Sequence, residues 1–263
     1  GKRIFKDVRY VKDTELSEIS GISENSIFVH AASNANAGDC NKNPLGAVAS
    51  NINLTVQVLD LCTQLSIKEF LFLSTGFLYG DNMNVAHKEK DKVFAQNTYL
   101  ATKLLSEKII ESYSASHALK TVIVRLGNVF SAASSEKTII GKIIKQVKED
   151  RKEIILNSLE PSRDFIYVKD VSHAIQVISA KGLVSACEVL NVSSGKATSV
   201  RSLAEKICGI EGCVRPIKEE DSKSIKKYSN ILMDITKIKK NYGWQPKYSL
   251  IGALNEMMSQ TNE

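Results

Sequence analysis

Short apolar segments alternate with segments of helical periodicity along the first half of the chain. Residues 26–32, 69–74 and 121–126 are nearly continuous apolar runs, as is typical of buried strands. Apolar residues recur at helical spacing over 48–62, and 99–113 is also predicted to be helical. Strands separated by helices predict βαβ units, and therefore a parallel sheet with helices on both faces.

The pattern loosens after about residue 130. Shorter helices and strands are predicted there, with Ser199 as the N-cap of one helix. The helices are expected over 139–147, 171–178 and 200–207, and a short strand over 153–156. Residues 165–168 precede the second of these helices. We therefore predict an α/β protein with a parallel-sheet domain in residues 1–129. Residues 130–263 are predicted to form a smaller α+β domain, with some segments returning to the sheet.

Composition and charge narrow the class of protein. The 263 residues are 43% hydrophobic and 24% charged, which is ordinary for a globular protein. The net charge of +6 is mild, and no nucleic-acid motif accompanies it, so a small diphosphate-bearing molecule suits the chain better than nucleic acid. No apolar run approaches about 18 residues, so no membrane span is predicted.

The five cysteines are dispersed, and an odd, dispersed set favours reduced thiols in a cytoplasm. Cys208 and Cys213 have four residues between them, but no histidine or second cysteine pair completes a zinc site. The four histidines are isolated from one another. We therefore predict no structural metal.

Two segments carry candidate chemistry. Residues 74–80, Ser-Thr-Gly-Phe-Leu-Tyr-Gly, lie where a predicted strand ends, and ligands of open parallel sheets bind outside the carboxyl ends of strands. Tyr99 and Lys103 are four residues apart, so they share one helix face. A free phenol has a pKa of about 10, and a nearby cation lowers that value toward the range of a useful base. Thr75, Tyr99 and Lys103 are therefore the predicted catalytic residues, with the Thr75 hydroxyl holding a substrate oxygen.

These motifs, in this order, resemble the extended short-chain dehydrogenase/reductase superfamily, and specifically its NAD-dependent nucleotide-sugar epimerase/dehydratase family. Residues 29–33 are similar to the family's strand-four signature beside the cofactor. Asn51 followed by Thr55 is similar to its helix motif. Residues 125–130 resemble its Arg-x-x-Asn-Val-Tyr segment, and 163–171 resemble its Arg-Asp-Phe-Ile-Tyr-Val-Asp-Asp-Val segment.

The resemblance implies a Rossmann-type sheet, an NAD or NADP cofactor and a nucleotide-sugar substrate. By resemblance, Asn128 would contact the substrate phosphate and Arg163 would clamp the diphosphate. A homodimer through helices near 45–65 and 97–115 and a cytoplasmic location are also expected. The residues that resemblance and position assign to the cofactor are Asp13, Ala31, Ala32, Ser33, Ser74, Tyr99 and Lys103.

Departures from the family pattern restrict the reaction. The 4,6-dehydratases carry Asp-Glu directly after the catalytic Thr, whereas this chain has Gly76 and Phe77, so dehydration is disfavoured. We therefore predict an NAD(P)-dependent epimerase or oxidoreductase that transfers hydride at a sugar carbon. A reductase of an NDP-4-keto-6-deoxysugar in surface polysaccharide synthesis is one alternative. A non-catalytic dinucleotide-binding protein is another, although Thr75, Tyr99 and Lys103 argue against it.

The start of the sequence lacks a phosphate-binding turn. A dinucleotide site needs a first strand, a glycine-rich turn, a helix N-terminus and a second strand, and no such glycine spacing occurs in the 263 residues. We therefore expect at least one βαβ unit to be missing before Gly1, and this chain to bind cofactor poorly. The residue that distinguishes NAD from NADP belongs to that missing second strand.

Four further residues are interpreted structurally. His30 is expected to be packed in its strand, and Asn51 to tie its helix to the active-site loop. Asp170 is read equally as a residue of a helix N-terminus or as a ligand contact. Trp244 is expected to anchor the packing near the C-terminus.

Overall fold

The main sheet consists of four parallel strands in the order β1-β2-β3-β7. It is seen in a computed structural model that describes residues 22–23, 25–81, 85–220 and 230–260. The apolar runs predicted the first three strands, and the parallel sheet is confirmed. The strands are β1 (Ile27–His30), β2 (Glu69–Thr75), β3 (Lys120–Leu126) and β7 (Cys187–Val192).

One face of this sheet is covered by the helices that precede and follow β2. A continuous helical stretch comprises α2 (Pro44–Ala47), a π-helical turn (Val48–Asn53) and α3 (Leu54–Gln64), and a short α1 (Ala37–Lys42) comes before it. The next helix, α4 (Thr98–Ser116), lies beside α3. Leu59 and Ile110 of these helices are buried against Phe70 of the sheet. The π turn, which the apolar spacing did not predict, contains Asn51.

The opposite face of the sheet is covered by α6 (Val168–Lys181) and α8 (Thr236–Tyr242). Trp244 is fully buried in this core, as expected of a packing anchor. The buried carboxylate of Asp170 accepts hydrogen bonds from the backbone N–H of Lys247 at 2.8 Å and of Tyr248 at 3.2 Å. Asp170 therefore fastens the C-terminal segment to α6.

The later part of the chain also builds a second core. It contains two small sheets: β4 (Asn128–Phe130) with β6 (Ser162–Tyr167) and β8 (Ala197–Ser199), and β5 (Ile154–Leu156) with β9 (Ile217–Glu219). The helices α5 (Ile139–Lys148), α7 (Val200–Ile210) and α9 (Leu250–Gln260) pack around it, and its buried members all lie at or after Phe130. The domain boundary between residues 129 and 130 stays a prediction.

The helical stretch Pro44–Gln64 bears on the expectation that the chain has no membrane span. By length and composition alone it is long and apolar enough to cross a bilayer. Helices in the core of a folded domain pass the same test, and Val58, Leu59 and Cys62 of this stretch are buried against the main sheet. The expectation that the chain has no membrane span is not contradicted by this helix and stays a prediction.

Candidate active site

The carboxyl end of β2 brings together two of the predicted catalytic side chains. Thr75 is the last residue of β2, and its Oγ1 accepts a hydrogen bond from the backbone N–H of Phe77 at 3.3 Å, which caps the 3-10 turn Gly76–Tyr79. Tyr99 lies in the first turn of α4, whose N-cap Asn97 accepts from the Leu100 N–H at 2.9 Å. The hydroxyls of Thr75 and Tyr99 are hydrogen-bonded to each other.

Lys103 lies one helical turn after Tyr99 and is only 4% exposed. Its Nζ donates a hydrogen bond to the Leu73 carbonyl at 2.8 Å and lies 4.6 Å from the centre of the Phe72 ring. Burial lowers the pKa of Lys103 to about 8, and the negative charge of Glu107 opposes that shift. The structure therefore holds the Lys103 ammonium against β2, one helical turn after Tyr99.

The electrostatics of Tyr99 differ from the expectation. Burial raises the pKa of Tyr99 to about 12, and the hydrogen bond with Thr75 only partly opposes this rise. The expected lowering by Lys103 was wrong for this arrangement, because desolvation of the phenol dominates and the ammonium donates to the Leu73 carbonyl. Tyr99 is therefore a neutral proton donor at neutral pH.

The loop after β1 lies at the same edge of the sheet. Ala31 and Ala32 are exposed, Ser33 is half-buried, and Asn34 is clamped by the side chain of Asn51. The Asn51 amide accepts from the Asn34 N–H at 2.7 Å and donates to the Asn34 carbonyl at 3.1 Å and to Thr102 Oγ1 at 2.9 Å. Asn51 thus ties the loop to α4, as expected.

The prediction for His30 is tested by the structure, whereas the prediction for Asp13 is not. His30 is buried, hydrogen-bonds Thr55 Oγ1 at 3.0 Å, and has a pKa lowered to about 4 by burial and by the nearby Lys103 charge. It is therefore a neutral packed residue of β1, as the sequence indicated. Asp13, predicted to contact the cofactor, lies outside the described residues.

A buried ionic network behind Lys103 was not predicted. Glu107 is fully buried, and it receives hydrogen bonds from Arg125 Nη2 at 2.7 Å and Nε at 3.1 Å. The Ser74 hydroxyl donates to the same carboxylate at 2.5 Å. The side chain of Ser74 therefore serves this network, and its predicted contact with the cofactor stays a prediction. The signal was a Glu four residues after Lys103 and an Arg within an apolar strand.

The surroundings of Gly76 are crowded, which the sequence also did not indicate. A Cβ at residue 76 would overlap the Sδ and Cε of Met233 and would lie 3.2 Å from the Leu126 carbonyl oxygen. Met233 is buried, and its backbone N–H donates to Asp164 Oδ2 at 3.3 Å. A side chain at position 76 would therefore require the flexible end of Met233 to move.

The predicted substrate residues are carried by the small sheet. Asn128 begins β4 and is aligned with Phe165 of β6, two residues after Arg163. Arg163 lies 5.6 Å from the centre of the Phe77 ring, so the strand reaches the turn after Thr75. The Nε of Arg163 is buried without a hydrogen-bond partner among the described residues, and burial lowers the pKa of this guanidinium. Arg163 is therefore a largely buried cation whose Nε–H group has no acceptor among the described residues.

Comparisons with known proteins agree with this architecture. The model of the NAD dependent epimerase/dehydratase family matches residues 4–192. The chain is 29% identical over 205 residues to the low-salt glycan biosynthesis protein Agl12 of Haloferax volcanii, covering 77% of this chain and 64% of that relative. It therefore spans less than two thirds of that relative's length. A putative UDP-glucose 4-epimerase of Methanocaldococcus jannaschii is 25% identical over 248 residues, with 91% of this chain and 78% of the relative covered.

A solved structure is similar over most of the chain. The UDP-N-acetylglucosamine 4-epimerase of Methanobrevibacter ruminantium, in complex with UDP-N-acetylmuramic acid, matches with a TM-score of 0.80 and 26% identity. The match covers 89% of this chain and 77% of that one. Because the family model matches well over half of the chain, the protein belongs to the NAD dependent epimerase/dehydratase family.

Proposed function

We propose that the protein is an NAD(P)-dependent epimerase or oxidoreductase that acts on a nucleotide sugar by hydride transfer at a sugar carbon. The observation that carries the proposal is the hydrogen-bonded Thr75–Tyr99 pair with the Lys103 ammonium one turn away, at the carboxyl edge of a parallel sheet. A proton donor, a second hydroxyl and a cation at this edge are the groups that carbonyl–alcohol interconversion requires.

The residues at this edge fit a nicotinamide dinucleotide. The small, exposed Ala31 and Ala32 leave the end of β1 open beside α4, and a flat ring can approach a backbone of this kind closely. Ala31, Ala32, Ser33 and Lys103 are the residues that would hold the cofactor. Bound NAD(P) supplies the acceptor or donor of the hydride. Its oxidised ring is cationic, a charge that favours ionisation of a nearby phenol.

The proton step follows from the protonation of this chain's own residues. Tyr99 Oη gives its proton to the sugar carbonyl oxygen in the reducing direction and takes it from the sugar hydroxyl in the oxidising direction. Thr75 Oγ1 hydrogen-bonds the same oxygen and fixes its distance from Tyr99. Desolvation dominates the pKa of Tyr99 in the structure, and we propose that the Lys103 ammonium, one helical turn away, offsets part of the negative charge that develops on the phenol oxygen during the step.

The ionisation of Lys103 predicts a pH profile. Its pKa of about 8 lies below the usual 10.5, so the ammonium is present below about pH 8 and is lost as the pH rises through that value. We expect turnover at saturating substrate to fall about tenfold for each pH unit above pH 8. The measurement is kcat from pH 6 to 10 with buffers of matched ionic strength. Turnover that stays constant to pH 10 would contradict the role of the Lys103 charge.

Arg163 is proposed to bind the substrate diphosphate, supported by its unused buried donor. Arg163→Ala is expected to raise KM or Kd for the nucleotide sugar about 10- to 100-fold, because a charge-assisted hydrogen bond contributes about 1.5–3 kcal/mol. Isothermal titration with a UDP-sugar measures the change. Arg201→Ala, on the exposed side of α7, is the matched control and should leave affinity unchanged. Equal effects of the two variants would remove Arg163 from the site.

One assay distinguishes an epimerase from a reductase. An epimerase changes the configuration of a UDP-hexose without net consumption of NADH, whereas a reductase oxidises NAD(P)H in proportion to added ketosugar. The reductase of an NDP-4-keto-6-deoxysugar is the second candidate, because the Tyr99 phenol can donate the proton that reduction of a sugar carbonyl needs. The assay incubates the protein with both cofactors and a panel of UDP- and dTDP-sugars. The panel is read in protein whose binding of NAD(P)H has first been measured by titration; bound cofactor with neither epimerised sugar nor consumed NAD(P)H would refute catalysis and leave a dinucleotide-binding role.

We also propose a homodimer through the helical stretch 44–64 and α4, in a cytoplasmic location. Leu45 is 84% exposed and Leu105 is 52% exposed on these neighbouring helices, and all five cysteines are free thiols, as a reducing compartment keeps them. Leu105→Glu is expected to shift sedimentation from dimer to monomer. Val184→Glu, a change at an exposed valine outside these helices, is the control. A wild-type protein that sediments as a monomer refutes the dimer.

A further inference from the structure

The C-terminus of α7 brings two cysteines together through its backbone. The N–H of Cys213 donates to the carbonyl of Cys208 at 3.0 Å, and the N–H of Gly212 donates to that of Gly209 at 3.2 Å. Gly212 has a φ of 66°, in the left-handed region. The two backbone hydrogen bonds and the left-handed conformation of Gly212 define a Schellman motif at the end of α7. In this motif the side chains of the two residues joined by the outer hydrogen bond, here Cys208 and Cys213, frequently make contact. In most proteins that contact is apolar, but in this chain both positions are cysteines.

The two cysteines are neighbours, yet their thiols differ in access. Cys208 is 3% exposed within the second core, whereas Cys213 is half-buried at its edge. The Sγ of Cys213 donates a hydrogen bond to the Cys208 carbonyl oxygen at 3.3 Å, which places the Cys213 thiol against the backbone of Cys208. Burial and the neighbouring thiol raise the pKa of Cys208 to about 11. Cys213 is thus the accessible thiol, and Cys208 is the protected one beside it.

A cation completes the cluster. The Arg215 guanidinium hydrogen-bonds the Cys213 side chain and is held in place by Asp150, whose Oδ1 lies 2.9 Å from Nη2. The thiolate is the reactive form of cysteine toward oxidants, and a guanidinium beside the sulfur can stabilise the charge that develops on it as it reacts. A partly accessible sulfur, a cation and a second thiol in contact are the features of a cysteine pair that oxidises reversibly.

We propose that Cys208 and Cys213 are a modification site at which a hydroperoxide forms a reversible disulfide. The Cys213 thiolate attacks one peroxide oxygen, so that an S–O bond forms, the O–O bond breaks and hydroxide leaves to become water. The Cys208 sulfur then attacks the Cys213 sulfur, the S–S bond forms, and the hydroxyl leaves as water with the Cys208 proton. The two thiols lose two electrons, and one peroxide becomes two waters. A small dithiol reverses the reaction by exchange.

The disulfide would close a loop around the last turn of α7. The backbone hydrogen bond between Cys213 and Cys208 already holds the two residues at adjacent positions. The site lies in the second core, away from Thr75 and Tyr99 at the edge of the main sheet. It therefore does not depend on the proposed activity, and its test needs no turnover.

The test is a thiol map of the oxidised protein. The protein is treated with one equivalent of hydrogen peroxide, unfolded in N-ethylmaleimide, digested and analysed by mass spectrometry. We expect the peptide with Cys208 and Cys213 to escape alkylation and to have lost two hydrogens, and dithiothreitol to restore alkylation. The other three cysteines should be alkylated in both samples. Alkylation of both Cys208 and Cys213 after peroxide treatment would overturn the proposal.

Variants separate the roles of the three residues. Cys208→Ser should leave a sulfenic acid on Cys213 that dimedone traps, whereas Cys62→Ser should form the disulfide at the wild-type rate. Arg215→Met should slow disulfide formation about three- to tenfold, because the thiolate loses its cation. A disulfide of Cys213 with another cysteine, or a wild-type rate in Arg215→Met, would contradict the assigned pairing or the assigned role of Arg215.

Discussion

Tyr99→Phe is expected to lower kcat for the nucleotide-sugar reaction about 10²- to 10⁴-fold, the usual contribution of a positioned general acid or base. The substitution removes only the phenolic oxygen, so the ring remains packed at the start of α4. Thr75 then has no proton donor beside it, and the substrate oxygen must exchange its proton with water. The measurement is steady-state turnover of a UDP-sugar or ketosugar, with KM expected to change far less than kcat.

The matched control lies on the same helix. Tyr113 of α4 donates its hydroxyl to Asp60 at 2.6 Å on an exposed surface, and Tyr113→Phe should keep kcat within twofold or so of wild type. Thermal unfolding of both variants checks that each remains folded. If Tyr99→Phe retained wild-type kcat while Thr75→Ala lost activity, the proton would be exchanged by another group and the assigned role of Tyr99 would be wrong.

Glu107→Gln is expected to reduce the free energy of unfolding by about 3–5 kcal/mol, the usual cost of removing one partner of a buried ion pair. The amide keeps the shape of the side chain but leaves Arg125 as an uncompensated buried cation next to Lys103. The hydroxyl of Ser74 loses its charged acceptor in the same change. Urea denaturation monitored by circular dichroism measures the loss.

The exposed pair Lys108–Glu111 on the same helix provides the comparison, with Nζ and Oε2 2.7 Å apart. Glu111→Gln should cost no more than about 1 kcal/mol, because solvent screens an exposed pair. The double variant Glu107→Met/Arg125→Met should recover much of the lost stability, since burying two apolar side chains removes the unpaired charge. A loss below about 1 kcal/mol in Glu107→Gln would show that water reaches Arg125.

The main sheet was predictable because its strands carry a strong local signal. Residues 69–75 and 120–126 are apolar runs long enough to identify from sequence, and the helix between them is longer still. β4, β5, β8 and β9 have three residues each, too few for any periodicity to emerge. Their pairing is set by tertiary contacts between distant segments, as in the alignment of Ser162 with Ser199.

The candidate site also contains some features that the sequence predicted and others that it did not. Thr75, Tyr99 and Lys103 were found from spacing on a single strand end and a single helix. The protonation of Tyr99 was not, because desolvation depends on all the atoms around the ring and not on its sequence neighbours. The Gly76–Met233 contact joins residues that are far apart in the sequence, and neither residue type signals a partner on its own.

The close approach at Gly76 couples two residues that lie far apart in the sequence. A side chain introduced at position 76 meets the Sδ and Cε atoms of Met233, which are the flexible end of that side chain, so Met233 must change rotamer to admit it. Shortening Met233 to alanine makes the space directly, at a cost of about 2–5 kcal/mol for a core position. The effects of substitutions at 76 and 233 are therefore expected to be non-additive in a double-mutant cycle.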